Sequence, residues 1–103
     1  MTVYVDALRY SPPIVVRARK YGDYWCHLLA DTEEELHAFA GKIDVRRSWF
    51  QGYATPHYDL TPARRDRAVK AGAIQIDSRE TVRMIRKLRA AAVDGAAKPG
   101  ASE

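Results

Sequence analysis

The chain has 103 residues, 47% of them apolar and 29% charged, enough for one domain with a modest core that buries roughly 60–65% of the unfolded surface, and too apolar for a disordered chain. No apolar run approaches the ~18 residues of a membrane span, and Met1-Thr2-Val3-Tyr4 lacks the start of a signal peptide, so the cytoplasm is the expected address. The net charge of +4 is unevenly placed, with seven Lys and Arg against eight Asp and Glu in residues 1 to 60 and ten against five beyond, so the C-terminal half either attracts phosphate-bearing partners or carries arginines that merely solvate helix faces and suit helix C-termini.

In chain order, Thr2-Val3-Tyr4-Val5-Asp6 alternates and is rich in strand formers, predicting a strand that ends at Asp6. Ser11-Pro12-Pro13 breaks regular structure, Ile14-Val15-Val16 could form a short strand, and Arg17 to Asp23 reads as an exposed basic loop. Such a segment is either a lid or a tolerated insertion. Tyr24 to Ala30 predicts a central strand, with Trp25, His27 and Leu29 on one face and Cys26 and Leu28 on the other. Cys26 is the only cysteine, so an internal disulfide is impossible and a reducing compartment is expected.

A helix follows from Asp31-Thr32, where Thr32 and Glu35 have capping-box spacing and Glu33, Glu34 and Glu35 suit the positive end of the helix dipole. Leu36, Phe39, Ala40 and Ile43 form its buried stripe, with His37 alongside. Residues 44 to 55 interleave Arg46 and Arg47 with Trp49, Phe50 and Tyr53, a pattern that suits either stacking on bases and phosphates or packing beneath a loop.

The stretch Pro56-His57-Tyr58-Asp59-Leu60 reads as another strand. His57 and Asp59 share one face, and Tyr58 and Leu60 the other. Thr61-Pro62 starts a helix that runs to Gly72 and carries Arg64, Arg65, Arg67 and Lys70. Ala73 to Asp77 predicts a strand and Ser78 the cap of a third helix, with a stripe of Thr81, Ile85, Leu88 and Ala92 and with Arg79, Arg83, Arg86 and Lys87 on another side. Residues 94 to 103 have the composition of a disordered tail. Alternating strands and helices predict a single α/β domain over 1–93, a single-layer, mainly parallel sheet of about four strands with three helices.

In that arrangement Asp6, Asp31, Asp59 and Asp77 fall at strand carboxyl ends, the edge at which open α/β sheets bind ligands. Asp31 and Asp77 precede helices and are explained as capping or helix-dipole residues. Asp6, His27, His57 and Asp59 remain as the candidate site. Two imidazoles and two carboxylates could hold a divalent metal and ready a water for attack on a phosphoester, or perform acid–base chemistry without a metal. Arg46, Arg47, Arg64 and Arg65 are the candidate phosphate contacts. No zinc-protease, paired-cysteine, Walker, dinucleotide-binding or nucleophile-elbow motif is present, and the histidines could equally be structural groups paired with carboxylates.

Val3-Tyr4-Val5-Asp6, Cys26-His27-Leu28, the segment from Asp31 to Ala40, His57-Tyr58-Asp59 and Ala71-Gly72-Ala73 together resemble a small family of phages and bacteria known as domain of unknown function 4031. The resemblance covers most of residues 2 to 90. It marks Asp6, His27, Asp31, His37, His57, Tyr58 and Asp59 as the family's polar positions, and departs from the family at Pro56, where members often carry an aspartate, and in the long segment from Arg9 to Asp23.

Two functions from different classes follow. One is a metal-assisted phosphoester hydrolase acting on nucleotides or nucleic acid. The other is a non-catalytic module that binds a nucleotide, nucleic acid or protein through the basic half. A homo-oligomeric accessory protein with aromatic subunit contacts is the third.

Overall fold

Tyr24–Ala30 forms β3, the strand on which the sheet is built, because its length and apolar character let it take a partner on each side. The computed structural model describes residues 2–13, 16–52 and 55–97. Val3–Val5 (β1) pairs antiparallel with β3, Val5 opposite Leu28. His57–Leu60 (β5) pairs antiparallel on the other side, with His27 opposite Asp59 and Cys26 opposite Leu60. Two short strands extend the sheet: Arg9–Tyr10 (β2) along the start of β3, and Phe50–Gln51 (β4) beside β5, Gln51 opposite His57. Ile74–Gln75 (β6) closes the far edge, parallel to β1.

Among the described residues the sheet therefore has six strands in a mostly antiparallel arrangement, correcting the expected mainly parallel layer of about four. Strand–helix alternation implies parallel pairing only where a helix carries the chain between like-directed strands. Here β1 and β3 run antiparallel, and β4 intervenes before β5. Two-residue strands leave no periodic trace in the sequence.

This geometry also divides the aspartates. The carboxyl ends of β1, β5 and β6 share one edge of the sheet and that of β3 lies at the other. Asp31 is thus separated from Asp6 and Asp59, and accepts a hydrogen bond from Tyr4 Oη at 3.1 Å.

Glu33–Lys42 (α1) is capped by Thr32, whose Oγ1 accepts from Glu35 N–H at 3.2 Å. Pro62–Lys70 (α2) is capped by Thr61, and Gly72 follows at φ +108°, a left-handed conformation that glycine adopts without steric cost. Ser78–Ala97 (α3) begins one residue after its cap, which is Asp77 and not Ser78: Asp77 Oδ1 accepts from Glu80 N–H at 2.8 Å, and Glu80 Oε1 from Asp77 N–H at 3.3 Å. The helix reaches four residues into the stretch read as a tail; residues 98–103 lie outside the described residues. Val16 opens a 3-10 helix running to Tyr21, where a short strand and a basic loop were expected; Ile14 and Val15 lie outside the described residues, as does Tyr53.

Leu36, Phe39 and Ala40 of α1 and Ala68 of α2 pack on one face of the sheet against Val5, Cys26, Leu28, Tyr58 and Leu60. The opposite face carries α3, whose Arg83, Met84 and Lys87 line a shallow cleft with Tyr4 and Ile76 and whose Arg89 Nε donates to Thr55 Oγ1 at 3.2 Å. No helix among the described residues is long and apolar enough to cross a membrane.

Candidate metal centre

His27 and Asp59 are cross-strand partners, so their side chains leave the sheet on the same face, and His57 joins them two residues before Asp59. One potential ligand atom from each of His27, His57 and Asp59 lies within 4.8 Å of the other two. The two imidazole rings meet edge to face, with centroids 5.3 Å apart.

The hydrogen bonds fix which ring atoms are available. Asp6, fully buried, accepts from the His27 backbone N–H through Oδ1 at 2.6 Å and contacts His27 Nδ1 through Oδ2 at 2.7 Å. An ionised carboxylate only accepts, so Nδ1 carries the proton and Nε2 of a neutral His27 holds the lone pair. His57 Nδ1 lies 2.8 Å from the Thr55 carbonyl oxygen, which likewise only accepts. Its Nε2 is therefore the free nitrogen, 3.5 Å from Asp59 Oδ1. Asp59 Oδ2 accepts from Gln51 Nε2 at 2.6 Å, which leaves Oδ1 facing His57.

This donor set fits a small divalent cation. A tetrahedral ion with bonds of about 2.1 Å holds its donors roughly 3.4 Å apart, close to the His57–Asp59 separation. Two imidazoles and one carboxylate is a catalytic ligand set that leaves positions for water or substrate, and each ring is oriented through its second nitrogen by an acceptor.

Electrostatics reinforce the Asp6–His27 pair. Burial alone would raise the Asp6 pKa, but the hydrogen bonds from the His27 ring and amide, with the His27 and Arg9 charges, hold it below the ordinary carboxylate value. The hydrogen bond to Asp6 raises the His27 pKa against the opposing effect of burial, helped by the charges of Asp6 and Asp59. Cys26, on the opposite face, has its thiol pushed up to about 12 by burial and by nearby Asp6, so it stays protonated and contributes no thiolate ligand.

The structure thus brings together His27, His57 and Asp59, and places Asp6 behind His27 as its orienting partner, outside the three-residue ligand cluster. The arginines divide. Arg65 is occupied by the Asp6 carbonyl (2.8 Å) and Gln75 Oε1 (3.3 Å). Arg47 lies over Phe50, which pairs with Tyr58 on the packed face, and Arg46 is exposed. Arg64 lies over Trp49 with its guanidinium 4.8 Å from the ring centroid. Sequence reasoning passed over Gln51 and the Thr55 carbonyl. Pairing of β4 with β5 brings Gln51 to Asp59, and a backbone acceptor has no residue signature.

The family model described as "Protein of unknown function (DUF4031)" matches residues 3–88, and the chain belongs to that family. No curated protein and no solved structure matches it.

Proposed function

We propose that this DUF4031 member is a metal-assisted hydrolase of phosphoesters, acting on nucleotides or nucleic acid, with His27, His57 and Asp59 as the metal ligands. The observation that carries this reading is that both imidazoles have Nδ1 tied to an acceptor, that His57 Nε2 is left beside the Asp59 carboxylate, and that one ligand atom from each of His27, His57 and Asp59 lies within 4.8 Å of the other two. A divalent ion would supply Lewis acidity toward a phosphoryl oxygen and lower the pKa of water. Asp6 positions His27 and fixes its tautomer, and Gln51 orients the Asp59 carboxylate. Arg64 provides a cation for a substrate phosphate.

Thermal unfolding of metal-stripped protein with and without Mg²⁺, Mn²⁺ and Zn²⁺ tests the ligand set. A specific ion at about a hundred times its dissociation constant adds roughly 2.7 kcal/mol of stability. The expected result is a raised midpoint in wild type that is lost in His57→Ala and Asp59→Asn, together with metal-dependent cleavage of a bis-aryl phosphodiester that these variants do not perform. Equal cleavage rates in wild type and His57→Ala would defeat the hydrolase reading.

One observation favours the alternative binding module. Arg79, Arg83, Arg86 and Lys87 of α3 are exposed, and none is in an ion pair among the described residues. Nucleic-acid binding that falls steeply with salt and is lost in an Arg83→Ala, Arg86→Ala double variant, without any metal response, would replace the hydrolase by this reading.

A further inference from the structure

Beside the metal ligands stands an aromatic cluster that the proposed ligand set does not use. Trp25 precedes His27 by two residues on the same strand face, a step of about 7 Å. Trp49 ends a second 3-10 helix, Arg47–Trp49, two residues before Gln51, the residue that holds Asp59, and packs partly against the core. The Trp25 and Trp49 rings lie 6.5 Å apart, and Tyr21, at the end of the first 3-10 helix, completes the group at 6.5 Å from Trp25 and 5.1 Å from Trp49. All three rings are half-buried, so each keeps solvent-facing surface. Trp25 is locked in place by its indole N–H, which donates to the Gly22 carbonyl at 3.1 Å.

Arg64 enters this cluster from the first turn of α2, its guanidinium 4.8 Å from the Trp49 centroid and 5.6 Å from that of Tyr21. Among the described residues its buried Nε has no hydrogen-bond partner, and no acidic group pairs with it. A buried donor on a charged, planar group without an acceptor is unusual in a folded protein. Stacking satisfies the faces of a guanidinium but not its donor edge, which matches the oxygens of a phosphate.

We infer that Tyr21, Trp25, Trp49 and Arg64 form the subsite for a nucleoside phosphate, with Arg64 taking the phosphate and the tryptophan pair taking the base. This rests on the phosphoester reading and names its substrate class: the metal ligands face the bond to be cut, and the cluster holds the adjoining nucleoside phosphate. Aromatic contact with any base is sequence-tolerant, so the subsite selects for a base without selecting which one.

Trp25 and Trp49 are the chain's only tryptophans, so tryptophan emission, excited beyond the tyrosine absorption band, reports this cluster alone. Metal-free protein in chelator is titrated with adenosine monophosphate, with a single-stranded hexathymidylate and with ribose 5-phosphate. Saturable change in emission with either of the first two supports the subsite, and the stronger of them separates a free nucleotide from a strand. Ribose 5-phosphate is expected to bind at least tenfold more weakly for want of a base. Arg64→Ala is expected to weaken the nucleotide at least tenfold. Arg64→Lys, which keeps the charge and loses the fork, falls between and carries the test if the alanine variant does not fold. An emission unaltered by both nucleotide ligands, ribose 5-phosphate binding as tightly as the nucleotide, or folded Arg64 variants that bind as wild type would overturn the inference. The chelator makes this titration independent of the metal ligands, so its failure and that of the metal-dependent melting are separate results.

Discussion

On one face of β3 and β5, Cys26, Leu28, Tyr58 and Leu60 are at most 1% exposed; on the other, the side chains of His27, His57 and Asp59 retain 29%, 22% and 37%. The same strands thus present a core wall on one face and the candidate site on the other, because strand side chains alternate and only one face of this stretch is packed under α1 and α2. The histidines repeat the contrast. His37 contacts the Tyr58 hydroxyl through Nδ1 at 2.9 Å and Glu33 through Nε2 at 3.1 Å, so both nitrogens are occupied. Among the described residues, His27 and His57 each have a single ring nitrogen in a hydrogen bond. A histidine with two partners holds structure, and one with a single partner is available for a ligand.

The contrast is broken most severely from the packed side. Leu28→Ala is expected to cost about 2–5 kcal/mol in urea unfolding, through lost burial and the cavity left behind, whereas His57→Ala in metal-free protein should fall well below that. Comparable losses would mean that the polar face is also a structural wall.

Asp6→Asn tests the seam between the two faces, with an expected loss of about 1–3 kcal/mol as a buried acceptor becomes mismatched. Its pH dependence is more informative. Ionised Asp6 contributes stability above its ordinary 3.8, which is lost as pH falls through its lower folded value. Protonated His27 contributes fully below its ordinary 6.5, and that contribution is lost as pH rises through its raised folded value. The pair is therefore most stabilising between those two ordinary values, and wild type should lose stability as pH rises above about 6.5. The asparagine variant should lose less over that range. An identical slope in the two proteins would remove the ion pair from the account.

The smallest effect is expected at His37. His37→Ala should lose about 0.5–1.5 kcal/mol with the Tyr58 hydrogen bond and leave any metal-induced rise in melting midpoint intact. Loss of the metal response in this variant would erase the distinction drawn between the histidines.

Much of this was legible in local pattern. Alternation in Tyr24–Ala30 and His57–Leu60 placed His57 with Asp59 and kept Tyr58 and Leu60 apart from them, and the Thr32–Glu35 spacing located the start of α1. The antiparallel course of the sheet was not legible, since β2 and β4 are two residues each and strand direction depends on turns without a strong signature. Asp6 was legible as a polar residue at a strand end but not as the partner of a ring 21 positions away.

By itself, the sequence determined which residues alternate, where the first two helices are capped and which polar side chains stand among apolar neighbours, because these follow from contacts within a few residues. Tertiary structure alone decided strand order, the division of the aspartates between two edges, the diversion of Arg65 to the Asp6 carbonyl and the approach of Gln51 to Asp59. Each depends on pairing between distant segments, which burial and hydrogen bonding select only when the whole sheet assembles.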